Sequence, residues 1–255
     1  MLGLRAWYPQ RNWSPLHRST VVIGAGRVGT VVAARLGARL VARGEDPDLG
    51  GCRLLLIATP DSAIAEVCTA LAPRLEAGAG VVHFSGGTSI AALDAARGPR
   101  ACVHPLQTVW PERGPGQLEG AHAAVTGDWE LGAGLARALG MTPFALADEC
   151  KPAYHAASVF ASNYVVTLTH AAVSLLERCG LERESALAAL NPLQHRTIEV
   201  AGSPPTGPIA RGDAATVAAH LQAVGPELEP LYRALGRATL PIVPPASAAA
   251  VRELL

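Results

Sequence analysis

Two patterns of apolar and polar residues alternate along the first half of this chain. Mostly apolar runs at residues 21–23, 53–58 and 80–84 are typical of strands buried on both faces of a parallel sheet. Between them, apolar residues recur at helical spacing in residues 28–36 and 63–71. Further strands are predicted at residues 39–42, 101–103, 123–125 and 142–147, and further helices at residues 90–96 and 131–139. Strands that alternate with helices predict a doubly wound, Rossmann-like α/β sheet.

Helical spacing alone remains after residue 148. One long helix is predicted over residues 152–179, and Asp213 is a good N-cap for a later one. The other predicted helices cover residues 183–190, 192–201, 214–223 and 227–237, with a short one after residue 245. The sequence therefore predicts three parts: an N-terminal arm (residues 1–18), an α/β domain (19–147) and an all-α domain (148–255).

A sequence of the type Gly-x-Gly-x-x-Gly joins the first strand to the first helix. Gly24 allows a tight turn, Gly26 lets a pyrophosphate approach the backbone, and Gly29 lets the helix pack closely on the strand. Arg27 and Val28 begin the helix, whose free N–H groups bind phosphate. This strand–loop–helix context predicts dinucleotide binding, and a glycine-rich turn without a ligand is the alternative.

The end of the second strand bears on which dinucleotide binds. NAD-binding Rossmann units carry an acidic residue there, about 20 residues after the first glycine, that bonds the ribose hydroxyls. This chain has Arg43 instead, and its guanidinium suits the 2′-phosphate of NADP. NADP is therefore favoured, although Glu45 or Asp46 in the ribose role would make NAD the cofactor. Residues 44–51 are also too short for the helix and strand that complete a full Rossmann half.

Three residues follow later strands of the predicted sheet. Ligands of such sheets lie beyond the carboxyl ends of the strands. Thr59 and Pro60 follow the third strand and are expected beside the cofactor. Ser85 follows the fourth strand, which places it to contact the nicotinamide or the substrate.

Composition excludes several partners and indicates a compartment. The 21 Lys and Arg balance the 21 Asp and Glu, so nothing favours nucleic acid or an anionic membrane. The five cysteines form no CxxC pair, which indicates reduced thiols in the cytoplasm and no metal site. The arm lacks the apolar core of a signal peptide. Residues 152–176 carry no charge, but their many Ser, Thr, Asn and His residues favour a helix buried in protein over a membrane span.

Polar side chains in the long predicted helix are the main catalytic candidates. His155, Ser158 and Ser162 recur at helical spacing on one face, with Asn163 toward the same side. Because histidine titrates near neutrality, His155 is predicted to protonate the substrate during hydride transfer. Asn163 would orient a carbonyl or hold His155. The alternative is an internal hydrogen-bonded seam against another helix.

Two further candidates lie outside this helix. His104 ends a predicted strand and is a second candidate acid, base or substrate donor, unless it bonds only backbone. Arg211 suits a substrate carboxylate, or alternatively pins its loop through Asp213. Lys151 precedes the long helix and is a further source of positive charge. His83, inside a strand, is expected to be structural.

Seven motifs together resemble a bacterial family with a Rossmann-like N-terminal domain, a helical C-terminal domain and an uncharacterised function. In chain order they are Gly24–Thr30, Ala58–Asp61, Phe84–Gly86, His104–Thr108, Tyr154–Ala157, Ala161–Asn163 and Gly207–Asp213. The family is similar to ketopantoate reductase, pyrroline-5-carboxylate reductase and the β-hydroxyacid dehydrogenases, and the resemblance implies a homodimer formed through the helical domain. In those dehydrogenases a lysine opens the long helix and Asn residues follow it. Here His155 stands roughly where that lysine would be, and Asn163 matches one Asn.

These observations predict a cytoplasmic, NADP-dependent oxidoreductase that reduces a small carbonyl or imine compound in the cleft between the domains. His155 would donate the proton, and Asn163 and His104 would orient the substrate. Arg211 would bind an acidic group if the substrate carries one. Because histidine replaces the lysine, the rival hypothesis is a non-catalytic dinucleotide-binding or sensing protein that dimerises through its helices.

Overall fold

The structure is a computed structural model that describes residues 19–255. The predicted arm, residues 1–18, lies outside the described residues. The described chain divides into two compact units, residues 19–162 and residues 163–255. The first unit therefore continues past residue 147 and includes the helix that follows it.

Seven strands form one sheet in the first unit. They are β1 (Thr20–Ile23), β2 (Arg39–Val41), β3 (Leu54–Ile57), β4 (Gly80–His83), β5 (Arg100–Pro105), β6 (His122–Gly127) and β7 (Thr142–Ala145). Their spatial order is β2-β1-β3-β4-β5-β6-β7. The strands from β2 to β5 are parallel, β6 is antiparallel to β5, and β7 is parallel to β6. The predicted Rossmann-like α/β fold is confirmed.

Helices cover both faces of this sheet. They are α1 (Arg27–Leu36) and α3 (Trp129–Ala138) on one face and α2 (Ile64–Leu71) on the other, and a fourth helix, α4 (Lys151–Ala161), follows β7. Leu54 and Leu56 of β3 belong to the apolar cluster formed with α1 and α3. Leu55 and Ile57 of the same strand belong to the cluster formed with α2. All four side chains are fully buried, which explains why the sequence of β3 is apolar without interruption.

The connection between β2 and β3 is short, and the strand order that results shows where a ligand crevice opens. Residues 42–53 contain neither helix nor strand, so β2 remains the edge of the sheet. The chain leaves β1 toward β2 but leaves β3 toward β4, in the opposite direction. In sheets of this kind the crevice for ligands opens at the carboxyl ends of the strands where the direction changes. That point lies here between β1 and β3.

The second unit is entirely helical. Its helices are α5 (Asn163–Arg178), α6 (Arg183–Glu199), α7 (Pro208–Arg211), α8 (Ala214–Thr239) and α9 (Pro245–Val251). A small apolar core joins α8 to α9 and includes the buried side chains of Val217, Leu240 and Val251. The predicted all-α C-terminal region is confirmed.

Two helix predictions were wrong. The long helix predicted over residues 152–179 is two helices, because Ser162 leaves helical geometry with φ −126° and ψ −71°. Its hydroxyl lies 3.2 Å from Thr108 Oγ1, which fixes the side chain to a neighbouring loop. Conversely, the two helices predicted on either side of residue 191 are the single helix α6, which tolerates Pro192 in its interior. The predicted break near residue 225 is present as a kink in α8, where Gly225 has φ +76°.

The expected burial of the apolar segment after residue 148 is wrong within this chain. In α5 the structure shows only Val173 as fully buried, and Val166 is 58% exposed. Phe160 of α4 is 69% exposed. Residues 148–178 are long and apolar enough to cross a membrane, by length and composition only, and one such segment is weak evidence for a span. These helices therefore present an apolar surface that residues 19–255 leave uncovered.

Candidate active site

The glycine loop leaves space for a ligand at one position and none at the other two. Gly24 has φ +109°, and a Cβ there would lie 2.6 Å from the Ala58 carbonyl oxygen. A Cβ on Gly29 would lie 1.9 Å from the Gly24 carbonyl oxygen. In contrast, a Cβ on Gly26 would come no closer than 4.0 Å to any atom of the described chain. Gly24 and Gly29 are therefore required for packing, whereas Gly26 opens onto free space.

The N-terminus of α1 faces this space. Within residues 19–255, Gly26 at the N-cap makes no side-chain cap hydrogen bond, and the first turn contains no acidic residue. The first N–H groups of the helix and its dipole are therefore available to an anion. The Arg27 guanidinium stacks 4.6 Å above the centre of the Trp110 ring, which fixes a positive charge at the same helix end.

A cavity of about 260 Å³ lies beside the glycine loop at the crevice between β1 and β3. Its walls include six residues that were predicted to bind the cofactor: Gly26, Arg27, Val28, Thr59, Pro60 and Ser85. Thr59 Oγ1 is buried and has no hydrogen-bond partner among the described residues. Because buried hydroxyls are normally paired, a ligand atom would complete this wall. The open space at Gly26 and this hydroxyl fit a dinucleotide.

The acidic residues near the end of β2 are already engaged. Glu45 Oε2 accepts a hydrogen bond of 3.0 Å from the Ala42 N–H, and Asp46 pairs with Arg74 at 2.7 Å. Arg43 is exposed and makes no hydrogen bond or ion pair with any residue in 19–255. The guanidinium is therefore the polar side chain that remains available at this strand end.

Ser85 heads a compact turn at the end of β4. Its hydroxyl donates a hydrogen bond of 2.7 Å to Asp61 Oδ2 and accepts one of 2.9 Å from the Thr88 N–H. Asp61 also lines the cavity. The turn therefore presents a serine hydroxyl and a carboxylate together at the cavity wall.

His104, Tyr154 and His155 form a second polar group on the other side of this turn. His104 Nδ1 lies 2.7 Å from the Tyr154 hydroxyl, and the His104 and His155 rings meet edge to face with centres 6.1 Å apart. A Cβ on Gly86 would lie 2.9 Å from His104 Nε2 and 3.0 Å from His155 Cδ2. Gly86 therefore allows the turn to pack against both histidines.

The protonation of this group follows from its burial. Burial, with His155 and Lys151 nearby, lowers the pKa of His104 to about 4. Burial raises the pKa of Tyr154 to about 12. Both side chains are therefore neutral near pH 7, and the direction of their hydrogen bond depends on which imidazole nitrogen carries the proton. In the tautomer in which the tyrosine hydroxyl donates to Nδ1, the imidazole proton is on Nε2, the nitrogen beside Gly86.

Buried side chains contact the backbone of the turn at Ser85. Ser85 N–H donates a hydrogen bond of 3.1 Å to His83 Nδ1, which accords with a structural His83. Burial, followed by the charge of Lys151, lowers the pKa of His83 to about 4. Lys151 Nζ donates to the Ser85 carbonyl oxygen at 3.1 Å and lies 2.9 Å from Cys102 Sγ. Burial raises the pKa of the Cys102 thiol, and the nearby lysine opposes that shift.

The remaining two predicted site residues belong to the second unit. Asn163 is the first residue of α5, so the continuous helix that was to place it beside His155 does not exist. Arg211 ends α7, and its Nη1 donates a hydrogen bond of 2.7 Å to the Thr206 carbonyl oxygen. Asp213 caps α8 as predicted, accepting from the Thr216 N–H at 3.0 Å. The roles assigned to Asn163 and Arg211 stay predictions.

Sequence reasoning missed three members of the site. Tyr154, Asp61 and Cys102 carry no spacing signal, because their partners are between 17 and 50 residues away in the chain.

Within residues 19–255 no group of three His, Cys, Asp or Glu side chains could hold a metal ion. The site therefore combines the cavity beside the glycine loop with a serine hydroxyl, a carboxylate and two histidines.

Residues 120–239 match a family described as a domain of unknown function, DUF2520. No curated protein sequence matches the chain. A Bacteroides fragilis protein described as an NADP oxidoreductase is 23% identical over 86% of this chain and 96% of its own, with a TM-score of 0.71. A reductive aminase from Aspergillus terreus, in complex with NADPH, is 15% identical over 93% and 99%, with a TM-score of 0.61. Pyrroline carboxylate reductase from Plasmodium falciparum, with NADP bound, is 12% identical over 91% and 98%, with a TM-score of 0.57.

These similarities establish the fold. The resemblance inferred from the motifs is confirmed in these terms: the matching domain has no known function, and pyrroline carboxylate reductase is among the similar structures. Chemistry must be argued from the site itself, because one fold hosts many activities.

Proposed function

We propose that this protein is an NADP-dependent oxidoreductase that reduces a small carbonyl or imine compound. The observation that carries the proposal is the cavity at the β1–β3 crevice, where an uncapped helix N-terminus meets the unpaired Thr59 hydroxyl and the Ser85–Asp61 pair. Three similar structures support it, since one is described as an NADP oxidoreductase and two contain NADPH or NADP.

The residues around the glycine loop fit this cofactor. The helix N-terminus at Gly26 and Val28 would bind the pyrophosphate, with Arg27 adding positive charge. Arg43 would bind the 2′-phosphate, because Glu45 and Asp46 are already engaged and the guanidinium has no partner within residues 19–255. Thr59 and Ser85 would contact the nicotinamide half. When bound, NADPH supplies the hydride.

The histidines supply the proton chemistry. As a carbonyl or imine is reduced, negative charge develops on its oxygen or nitrogen, and a donor must neutralise it. His155 is exposed beside the turn and is the proposed proton donor. His104 is neutral, and in the tautomer with its proton on Nε2 it would orient the acceptor atom by a hydrogen bond without delivering a full charge. Asn163 is proposed to assist orientation, and Arg211 to bind a substrate carboxylate.

The assembly we propose is a homodimer formed through the second unit. Of the 17 residues of α6, the structure shows only Ala186 as fully buried. Leu193 and Ile198 on the same helix are each 64% exposed. Exposed apolar surface of this extent marks an interaction site. In a two-fold dimer the same surface of each copy packs against the other, so a second copy of this chain is the proposed partner.

A turnover assay tests the proposal. Purified protein is incubated with NADPH and a panel of keto acids, aldehydes and cyclic imines, and cofactor oxidation is followed by absorbance. We expect turnover with at least one class, and loss of turnover with intact NADPH binding in His155→Ala. Binding of NADPH without turnover of any compound would instead favour the non-catalytic sensor.

A further inference from the structure

Lys151 occupies a position that is unusual for a lysine. It is the only lysine in the sequence, because the other 20 of the 21 basic residues are arginines. Its side chain is 1% exposed. Among residues 19–255, no carboxylate lies within ion-pairing distance of its Nζ. Lysine is almost never fully buried without such a partner, so this side chain requires an explanation.

The position of Lys151 in its helix adds to the cost. It is the first residue of α4, where the helix dipole disfavours a cation. Arginine serves at every other basic position of the chain, yet this buried site uses the compact ammonium. An ammonium can donate several hydrogen bonds within a small volume, which a guanidinium fork cannot do.

The contacts of Lys151 converge on one backbone group. Its Nζ donates to the Ser85 carbonyl oxygen at 3.1 Å, and Cys102 Sγ lies 3.1 Å from the same oxygen. Nζ and Cys102 Sγ are themselves 2.9 Å apart. On the opposite side, the Ser85 N–H is held by His83 Nδ1. Buried side chains therefore fix both backbone polar groups of Ser85.

The turn that is held in this way links the two halves of the site. Ser85 Oγ reaches Asp61 at the cavity wall, and Gly86 packs against His104 and His155. Movement of the turn would displace the serine hydroxyl from the cavity and open the contact with the histidines. A small loss of alignment in a catalytic site costs much of its rate.

We propose that Lys151 is a positioning residue whose buried ammonium holds the Ser85–Thr88 turn in its working geometry and acts through Ser85. At 1% exposure the ammonium does not touch a substrate. This inference rests on the proposed function for its kinetic consequences, whereas its structural consequence is independent of any activity.

The first test is hydrogen–deuterium exchange of the turn in Lys151→Met. Methionine has a similar length without charge or donors, and removal of an unpaired buried charge is often neutral or stabilising. We expect the amides of residues 84–88 to exchange about tenfold faster, with an unchanged unfolding temperature. Leu135→Met, a buried substitution in α3, is the control and should leave this turn unchanged. Unchanged exchange at residues 84–88 overturns the proposal, as does faster exchange throughout the protein.

Lys151→Gln covers the case in which the methionine variant does not fold. Glutamine keeps one donor and removes the charge, and its exchange is judged by the same two criteria. Because this measurement needs neither cofactor nor substrate, it can fail while the proposed function stands. The converse also holds, since absence of NADPH binding or turnover in the wild-type protein would remove the proposed function alone.

The second test is a double-mutant cycle with Ser85→Ala. If Lys151 acts through Ser85, each single variant lowers kcat/KM about tenfold and the double variant lowers it little further. Independent roles would instead multiply to about a hundredfold loss, and that result contradicts the proposal.

Discussion

At the scale of single residues, Tyr154 contacts Nδ1 of His104, and Nε2 is the imidazole nitrogen that faces the turn. The tyrosine hydroxyl occupies Nδ1 at 2.7 Å, and burial keeps His104 neutral. A neutral histidine in a catalytic site donates a hydrogen bond without adding charge, and its partner at the other nitrogen fixes the tautomer. In the proposed mechanism, the orientation of the substrate would therefore depend on a residue that need not touch it.

Replacing Tyr154 with Phe should free His104 to adopt either tautomer. We expect kcat to fall about tenfold with little change in NADPH affinity, in line with the loss of one buried hydrogen bond. Steady-state kinetics and a cofactor titration measure the two effects. Tyr232→Phe is a matched control, because the Tyr232 hydroxyl makes the same kind of contact to His220 Nδ1, at 2.9 Å. Equal losses in both variants would contradict the role given to Tyr154.

His83 makes stability depend on pH. Its pKa is about 4 in the folded protein, below the 6.5 of an unfolded histidine, so the unfolded state gains a proton first as pH falls. The contribution of His83 to the free energy of unfolding is constant above about pH 6.5 and is lost as the pH falls from 6.5 to 4. At pH 5 the loss from His83 is about 2 kcal/mol.

Urea unfolding at pH 7 and pH 5 measures this loss. We expect His83→Asn, whose amide oxygen can still accept from Ser85, to lose less stability than wild type over this interval. His122→Asn, at the exposed start of β6, should behave as wild type. A pH dependence in His83→Asn equal to that of wild type would show that His83 is not buried in its neutral form.

At the scale of elements, two similar substitutions in the glycine loop should have different effects: one should lower stability and the other should weaken cofactor binding. Gly24→Ala forces a Cβ to 2.6 Å from the Ala58 carbonyl oxygen at a positive φ, and should cost about 2 kcal/mol of stability. Gly26→Ala meets no protein atom within normal contact, so the fold should keep its stability. Its methyl group would occupy the space proposed for the pyrophosphate, and NADPH binding should weaken at least about tenfold.

Thermal unfolding and a cofactor titration of both variants separate these effects. Gly44→Ala, at another positive-φ glycine outside the loop, controls for backbone strain alone. If Gly26→Ala binds NADPH as well as wild type, the phosphates do not lie against this residue.

The elements that the sequence predicted well are those set by local patterns. The strand–loop–helix at Gly24 and the buried strand β3 follow from residues that are close in the chain. The break between α4 and α5 could not be predicted in this way, because no glycine or proline marks Ser162. What accompanies the break is a contact with Thr108, a residue distant in sequence. Helical spacing therefore extended the stripe of His155 to Asn163 across a boundary that tertiary structure imposes.

The site shows the same division. The cavity beside the glycine loop was predictable, because phosphate binding needs a contiguous motif. The contact of Lys151 with Ser85 and Cys102 was not, because it joins residues 49 and 66 positions apart and buries a side chain that normally stays exposed. The unusual use of a single lysine was the available signal.

At the scale of the whole molecule, the apolar surface of the second unit predicts association. We expect the purified protein to be a dimer by light scattering, and Leu193→Asp/Ile198→Asp to be a monomer with a retained helical signal. Ile242→Asp is the control, since Ile242 is 63% exposed but lies after α8. A monomeric wild-type protein at micromolar concentration, or a dimer unaffected by the α6 substitutions, would contradict this surface as the interface.

The central claim is that the cavity beside the glycine loop holds NADP. Calorimetric titration of the wild-type protein with NADPH and with NADH tests it most directly, with Arg43→Ala as the selectivity variant and Arg39→Ala, on the preceding strand β2, as its control. We predict micromolar binding of NADPH, binding of NADH that is at least about tenfold weaker, and loss of this preference in Arg43→Ala alone. Absence of binding of either dinucleotide at millimolar concentration would contradict the account.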